Sequence, residues 1–148
     1  MKTGYVYLPH TADIKFQAFG KTVEECFKNA GYALMKIICK DEIDPKERKT
    51  IKVRGKDRES LLYNFLEEFL YILEVGGFLI AQIDNVRIVA EKKRKKYESV
   101  LTADVFGDDI KNYNADTHVK AITYNDMFVK QEKIRGKNRF TCQVVVDV

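Results

Sequence analysis

The chain has no tryptophan, only two histidines, and three scattered cysteines, Cys26, Cys39 and Cys142. An odd count with no C-x-x-C pair argues against both a disulfide framework and a zinc knuckle. Cys26 and Cys142 fall on apolar faces, where cysteine acts as a small buried hydrophobe. Long apolar runs are missing too. The longest charge-free stretch in the middle of the chain, residues 75–83, is far too short to span a bilayer. Met1-Lys2-Thr3-Gly4 leads straight into mixed residues with no leader pattern, so a cytoplasmic protein without a membrane partner is expected. There is no G-x-G-x-x-G, and the β-α-β pattern does not repeat, which rules out a doubly wound dinucleotide fold. No serine or cysteine pattern near His118 offers a nucleophile, so a catalytic triad has no support. Repeats and low-complexity tracts are absent.

What remains is an ordinary globular composition. Of the 148 residues, 45% are apolar, enough for a real core in one domain spanning 1–148. Charged residues make up 32%, and the net charge is +4. That charge permits an acidic or nucleic-acid partner without requiring one, because phosphate binding depends on clustered rather than summed charge.

The periodicity gives an element order. Residues 5–8 and 13–19 read as strands, the second alternating Ile14, Phe16 and Ala18 on one face. Thr22-Val23-Glu24-Glu25 is a capping box opening a helix whose stripe runs through Cys26, Phe27, Ala30, Leu34, Ile37 and Ile38. After the polar connection 41–45, residues 50–54 read as a strand ended by Gly55. Asp57 caps a second helix with Leu61, Leu62, Phe65, Leu66, Phe69, Leu70 and Leu73 on its apolar face, stopped by Gly76-Gly77. The period then changes to two. A long hairpin turns at the basic run 92–96. A polar, irregular loop follows at 107–116, then a second hairpin, 119–129 with 140–146. The order β-β-α-β-α-β-β-β-β predicts an α+β fold: a mostly antiparallel sheet packed by two α-helices.

Three groups of residues could carry chemistry. Asp13 follows the polar entry Pro9-His10-Thr11-Ala12, and Asp147 ends the apolar run Val144-Val145-Val146 ahead of Val148. If the two acids meet, with the α-carboxylate of Val148 beside them, the cluster must raise a pKa or bind a cation. Oxygen donors suit Ca²⁺, Mg²⁺ or Mn²⁺ rather than structural zinc. The other reading is that both acids simply end strands and stay solvated. His10 could orient a carboxylate, ligate a metal or move a proton, or be a satisfied turn residue. Lys120 shares a face with Ile122 and Tyr124, where it either meets an acid or phosphate or snorkels to solvent. The run 92–96 is either an RNA handle or a solvated tip whose lysines discourage edge-to-edge pairing.

Several of these residues together resemble a known family. His10-Thr11-Ala12-Asp13-Ile14, then Gly20, Thr22, Glu24-Glu25 and Phe27, is similar to the opening of the archease family. The resemblance continues through Ser60-Leu61-Leu62-Tyr63-Asn64-Phe65-Leu66-Glu67-Glu68-Phe69-Leu70-Tyr71. It returns in Val119-Lys120-Ala121-Ile122-Thr123-Tyr124 and in Val146-Asp147-Val148. It implies a small cytosolic accessory protein, not an enzyme, that acts on an RtcB-type RNA ligase in tRNA splicing. Such a protein promotes guanylylation and turnover of the ligase and broadens its nucleotide use, with tRNA an indirect partner through the ligase. It also implies a divalent-metal site, Ca²⁺ in structures, at Asp13, Asp147 and Val148, with Lys120 and His10 serving ligase activation. Many members have His after the T-Y pair, where this chain has Asn125, which hydrogen-bonds but does not titrate.

The expected mechanism presents a metal and the Lys120 ammonium to the partner's active site, where both offset triphosphate charge. It requires Asp13, Asp147 and Lys120 to lie close together. Two other functions stand beside it. One is a general chaperone or RNA-binding modulator of a tRNA-modifying enzyme, acting through 92–96. The other is a metal-dependent hydrolase using the same acids.

Overall fold

The computed structural model describes residues 4–9 and 12–148. The elements come in the expected order: β1 (Tyr5–Leu8), β2 (Ile14–Gly20), α1 (Val23–Ile38), β3 (Glu47–Gly55), α2 (Arg58–Gly76), β4 (Phe78–Lys93), β5 (Lys96–Asp109), β6 (Ala121–Ile134) and β7 (Lys137–Asp147). A 3₁₀ turn at Ile110–Asn112 follows β5. The α+β class is as expected, but the strands form two antiparallel sheets, ordered β1-β2-β7-β6 and β3-β5-β4. The reason is that each late hairpin recruits a different early strand. The β4–β5 hairpin takes β3, and the β6–β7 hairpin takes β2. Both α-helices pack against strands of both sheets and form a middle layer.

That layering changes what α1 must bury. Instead of a single stripe, Cys26, Phe27, Ala30, Gly31, Ala33, Leu34, Met35, Ile37 and Ile38 are all buried, because the helix has a sheet on either side. Gly31 marks the closest approach. A Cβ there would sit 2.7 Å from Ile83 Cδ1 and 2.8 Å from Phe69 Cζ, so only glycine fits without a shift of its neighbours. The start of α1 differs in detail from a reciprocal capping box. The Glu25 backbone N–H donates to Thr22 Oγ1 at 3.1 Å, but Glu25 Oε1 accepts from the backbone of Lys21 at 3.0 Å. The reciprocal box belongs to α2, where Asp57 and Ser60 each satisfy the other's amide. Gly77, at φ 64°, closes α2 in the left-handed conformation, with its N–H on the carbonyls of Ile72 and Leu73.

Residues 107–109, read as loop in the sequence, belong to β5. Asp108 is buried at 6% exposure and is fully occupied. It accepts from the Tyr113 hydroxyl at 2.8 Å, from the Asp109 amide at 2.8 Å and from Asn112 Nδ2 at 3.3 Å, with Lys46 Nζ 3.4 Å away. These partners supply what a buried carboxylate in a strand needs. The segment after the 3₁₀ turn is moored to the end of α1. The amides of Asp116 and Thr117 donate to the Ile38 carbonyl at 2.8 and 3.3 Å, and the Lys40 amide donates to Asp116 Oδ2 at 2.7 Å. This mooring carries the chain into Lys120. No described helix is long and apolar enough to cross a membrane.

Candidate functional site

β7 lies between β2 and β6, and its end therefore touches both. The β2–β7 register runs from Gly20↔Phe140 to Ile14↔Val146. Asp13 and Asp147 are the residues that follow this last pair, Asp13 just before β2 and Asp147 at the end of β7. On the other side of β7, Ala121 pairs with Asp147, and the Lys120 amide donates to the Asp147 carbonyl at 2.8 Å. Three of the residues singled out in the sequence thus share one corner of the four-stranded sheet. Asp13, Asp147 and Val148 are all half-buried there, and the Val148 side chain packs on the core. Ala12, just before Asp13, has φ 67°, a left-handed conformation uncommon for a residue with a Cβ. His10 and Thr11 lie outside the described residues.

The side chains divide between two faces. Lys120 is exposed and lines a groove of about 530 Å³ against α2, with Glu67, Glu68, Glu74 and Tyr71 on its walls. Asp13 and Asp147 do not line that groove. Lys120 also borders a second groove, of about 410 Å³, with His118, Thr117, Leu70 and Leu73. Among the described residues, no ion pair involves Lys120, Asp13 or Asp147. Lys15, two residues on from Asp13, is taken by Asp126 at 3.5 Å. No group of three or more His, Cys, Asp or Glu able to hold a metal occurs among the described residues.

The groove wall was not singled out in the sequence reading. Tyr63, Glu67, Tyr71 and Glu74 recur at helical spacing on the side of α2 away from its apolar stripe, and that stripe was the available signal. Tyr63 stacks on Tyr124 at 4.2 Å between ring centroids with planes 6° apart, which joins α2 to β6. Burial, then a hydrogen bond to Glu67, pushes the Tyr63 hydroxyl above its usual pKa, and burial does the same for Tyr124. Next to Tyr124, the β6–β7 register slips between Thr123 and Phe128. Asn125 sits in that bulge, exposed, with its amide on Thr123 Oγ1 at 3.3 Å.

The chain matches the archease protein family over residues 5–148. The chain belongs to the archease family. It is 38% identical to an archease of Methanosarcina barkeri, over 97% of this chain and 95% of that protein. It is 37% identical to an archease of Pyrococcus abyssi, over 94% of each. The solution structure of Methanobacterium thermoautotrophicum protein 1598 superposes with a TM-score of 0.77 at 27% identity, covering 99% of this chain and all of that one. The two-sheet, two-helix architecture described here is thus shared with a solved relative, and the corner built by β2, β6 and β7 lies within the matched span of this archease.

Proposed function

We propose that this archease is a non-enzymatic, cytoplasmic activator of an RtcB-type RNA ligase, promoting the ligase's guanylylation and turnover, broadening the nucleoside triphosphates it accepts, and entering tRNA splicing through that ligase. The observation that supports the reading is the shared corner: the β2–β7 pairing ends at Ile14↔Val146, next to Asp13 and Asp147, and the Lys120 amide bonds to the Asp147 carbonyl. The donor chemistry fits a hard divalent cation, Ca²⁺ first and Mg²⁺ or Mn²⁺ next. Asp13, Asp147 and Val148 offer oxygen donors only, and among the described residues neither acid is in an ion pair. A cation bound there supplies positive charge beside a nucleoside triphosphate.

The chain's own residues do the rest. Lys120 holds an exposed ammonium above the α2 groove, free of any ion pair among the described residues, where it can approach phosphate oxygens on a docked ligase. Asp116 and Thr117, tied to the end of α1, fix the segment that carries Lys120. Val148 packs on the core and anchors the end of β7, next to Asp147. His10 is assigned an orienting role toward Asp13 from its place in the H-T-A-D sequence.

The test is self-guanylylation of the purified ligase with GTP, followed with and without this protein. Folded Asp13→Ala, Asp147→Ala and Lys120→Ala variants should lose most of the stimulation, and His10→Ala part of it. Full stimulation by the first three would sink the reading. Hydrolysis of simple phosphoesters by the protein alone would favour the hydrolase instead.

A further inference from the structure

The basic run at residues 92–96 takes no part in the site above, and the structure gives it a distinct shape. Strand β3 pairs with β5 only as far as Gly55↔Ser99, whereas β4 and β5 stay paired out to Lys93↔Lys96. Beyond Ser99 the three-stranded sheet therefore continues as a two-stranded ribbon. All nine residues 89–97 are exposed, so nothing covers either face of it. The turn is Arg94-Lys95, with Arg94 at φ 58°.

The charge on this ribbon is concentrated at its tip. Its five cations, Lys92, Lys93, Arg94, Lys95 and Lys96, exceed the whole chain's net charge of +4, so the rest of the chain is on balance slightly acidic. The nearby acids are already engaged by the body of the sheet. Arg54 lies 2.7 Å from Glu91 and 3.8 Å from Glu98. Among the described residues, none of the five tip cations has an ion-pair partner. Blunting of a sheet edge needs charges spread along the open strand, not five gathered at a projecting turn.

An aromatic ring sits among these cations. Tyr97 is 66% exposed, paired across the ribbon with Lys92, whose Nζ is 5.7 Å from the ring centroid. Val89, 55% exposed, adds apolar surface at the base of the ribbon, where β3 still pairs with β5. Cations beside a free aromatic face match a single-stranded nucleic acid, whose phosphates need point charges and whose unpaired bases need a stacking platform. A paired A-form helix offers no exposed base face to such a ring. A membrane would meet a tip that is charged rather than apolar.

We propose that the tip of the β4–β5 ribbon docks the phosphate backbone of single-stranded RNA, with Tyr97 stacking on one base. The choice of RNA rests on the ligase reading given above. The ribbon would hold an RNA end near the ligase while the β2–β7 corner serves the nucleotide.

The test is fluorescence anisotropy of a labelled oligouridine of about 20 nucleotides against the whole protein, between about 50 and 300 mM KCl. Five neutralised phosphates give a log–log salt slope of about −3 to −4. Replacing all five cations by glutamine should weaken binding by at least about tenfold at low salt and flatten the slope toward zero. Tyr97→Ala should weaken it by roughly fivefold or more with the slope kept. Both variants change exposed residues and should keep the wild-type circular dichroism and melting temperature. Unchanged affinity and slope in the five-fold variant would overturn the proposal, as would a wild-type protein that ignores the oligouridine. Equal or tighter binding to polyglutamate or to phosphatidylserine vesicles would overturn the assignment to RNA. The five-fold variant should still stimulate ligase guanylylation without RNA. A parallel loss there would make the ribbon part of the protein–protein contact and overturn RNA docking. Failure of the wild type to stimulate the ligase strikes only the ligase reading, because the anisotropy needs no ligase.

Discussion

The backbone amide of Lys120 donates to the carbonyl of Asp147 at 2.8 Å, while the Lys120 side chain lines a groove against α2 that Asp147 does not reach. The cation and the acid are thus joined through the backbone and serve separate faces. A partner that uses both must wrap the edge of the sheet at the end of β7.

Removal and return of metal gives the first prediction. With Ca²⁺ at about a hundredfold its dissociation constant, binding to the folded state alone adds about 2.7 kcal/mol. For a chain of this size that is a rise in Tm of roughly 5–10 °C over the chelated protein. Asp147→Asn and Asp13→Asn should each abolish the rise, and in chelator each should melt no lower than wild type, since neither acid is in an ion pair among the described residues. Thermal melts in Ca²⁺ and in chelator check both statements.

Asp108 governs acid stability. The Tyr113 hydroxyl, and then the Asp109 amide, hold its carboxyl below the usual carboxylate range. A group whose folded pKa is depressed stabilises above its unfolded value, near 4, and loses that contribution as the pH falls through the folded value. Asp108→Asn should therefore be less stable than wild type at neutral pH, with the gap narrowing as the pH drops below about 4. Urea midpoints measured from pH 7 to pH 2.5 would show the two curves converging. Parallel curves would contradict the assignment.

Gly31 leaves no room for a methyl group. In Gly31→Ala the new Cβ meets Ile83 and Phe69, the side chains that separate α1 from α2 and β4. Overpacking of this kind costs about 1–3 kcal/mol, more than the helix propensity of alanine returns. The melting temperature should fall by several degrees, whereas Gly76→Ala, where a Cβ meets nothing within 4 Å, should be close to neutral.

The Tyr63–Tyr124 stack should show coupling. Tyr63→Leu and Tyr124→Leu keep apolar bulk and remove the ring contact. A double-mutant cycle should give a coupling of about 0.5–1.5 kcal/mol. Because the stack holds the β6 bulge on α2, either change should also loosen the amides of 124–127, which hydrogen exchange can read.

The element order was legible in the sequence because each element declares itself locally. Thr22 and Asp57 mark helix starts, Gly77 marks a stop, and the period shifts from 3.6 to two at Phe78. The division into two sheets was not legible, since alternation in β2 and β3 says which face is buried but not which hairpin each strand joins. Nor was the strand character of Asp108, whose polarity reads as loop until Tyr113, Asn112 and Lys46 are seen around it. In the site, the meeting of Asp13 with Asp147 was an expectation from the chain ends and the family resemblance; the β2–β7 pairing ends at their neighbours Ile14 and Val146. The separation of Lys120 from the acids by sheet face depends on where α2 lies, and no spacing in the sequence reports that.

The placement of β7 has a consequence for biosynthesis. Residues 137–147 are made more than a hundred residues after β2, yet they form an interior strand between β2 and β6. Until they emerge, the β1–β2 hairpin and β6 have no common neighbour. A nascent chain stalled before residue 137 would lack the middle of one sheet rather than a dispensable margin, with open strand edges on both sides of the gap. Such a product should be cleared by cellular proteases instead of accumulating as a shortened but folded form.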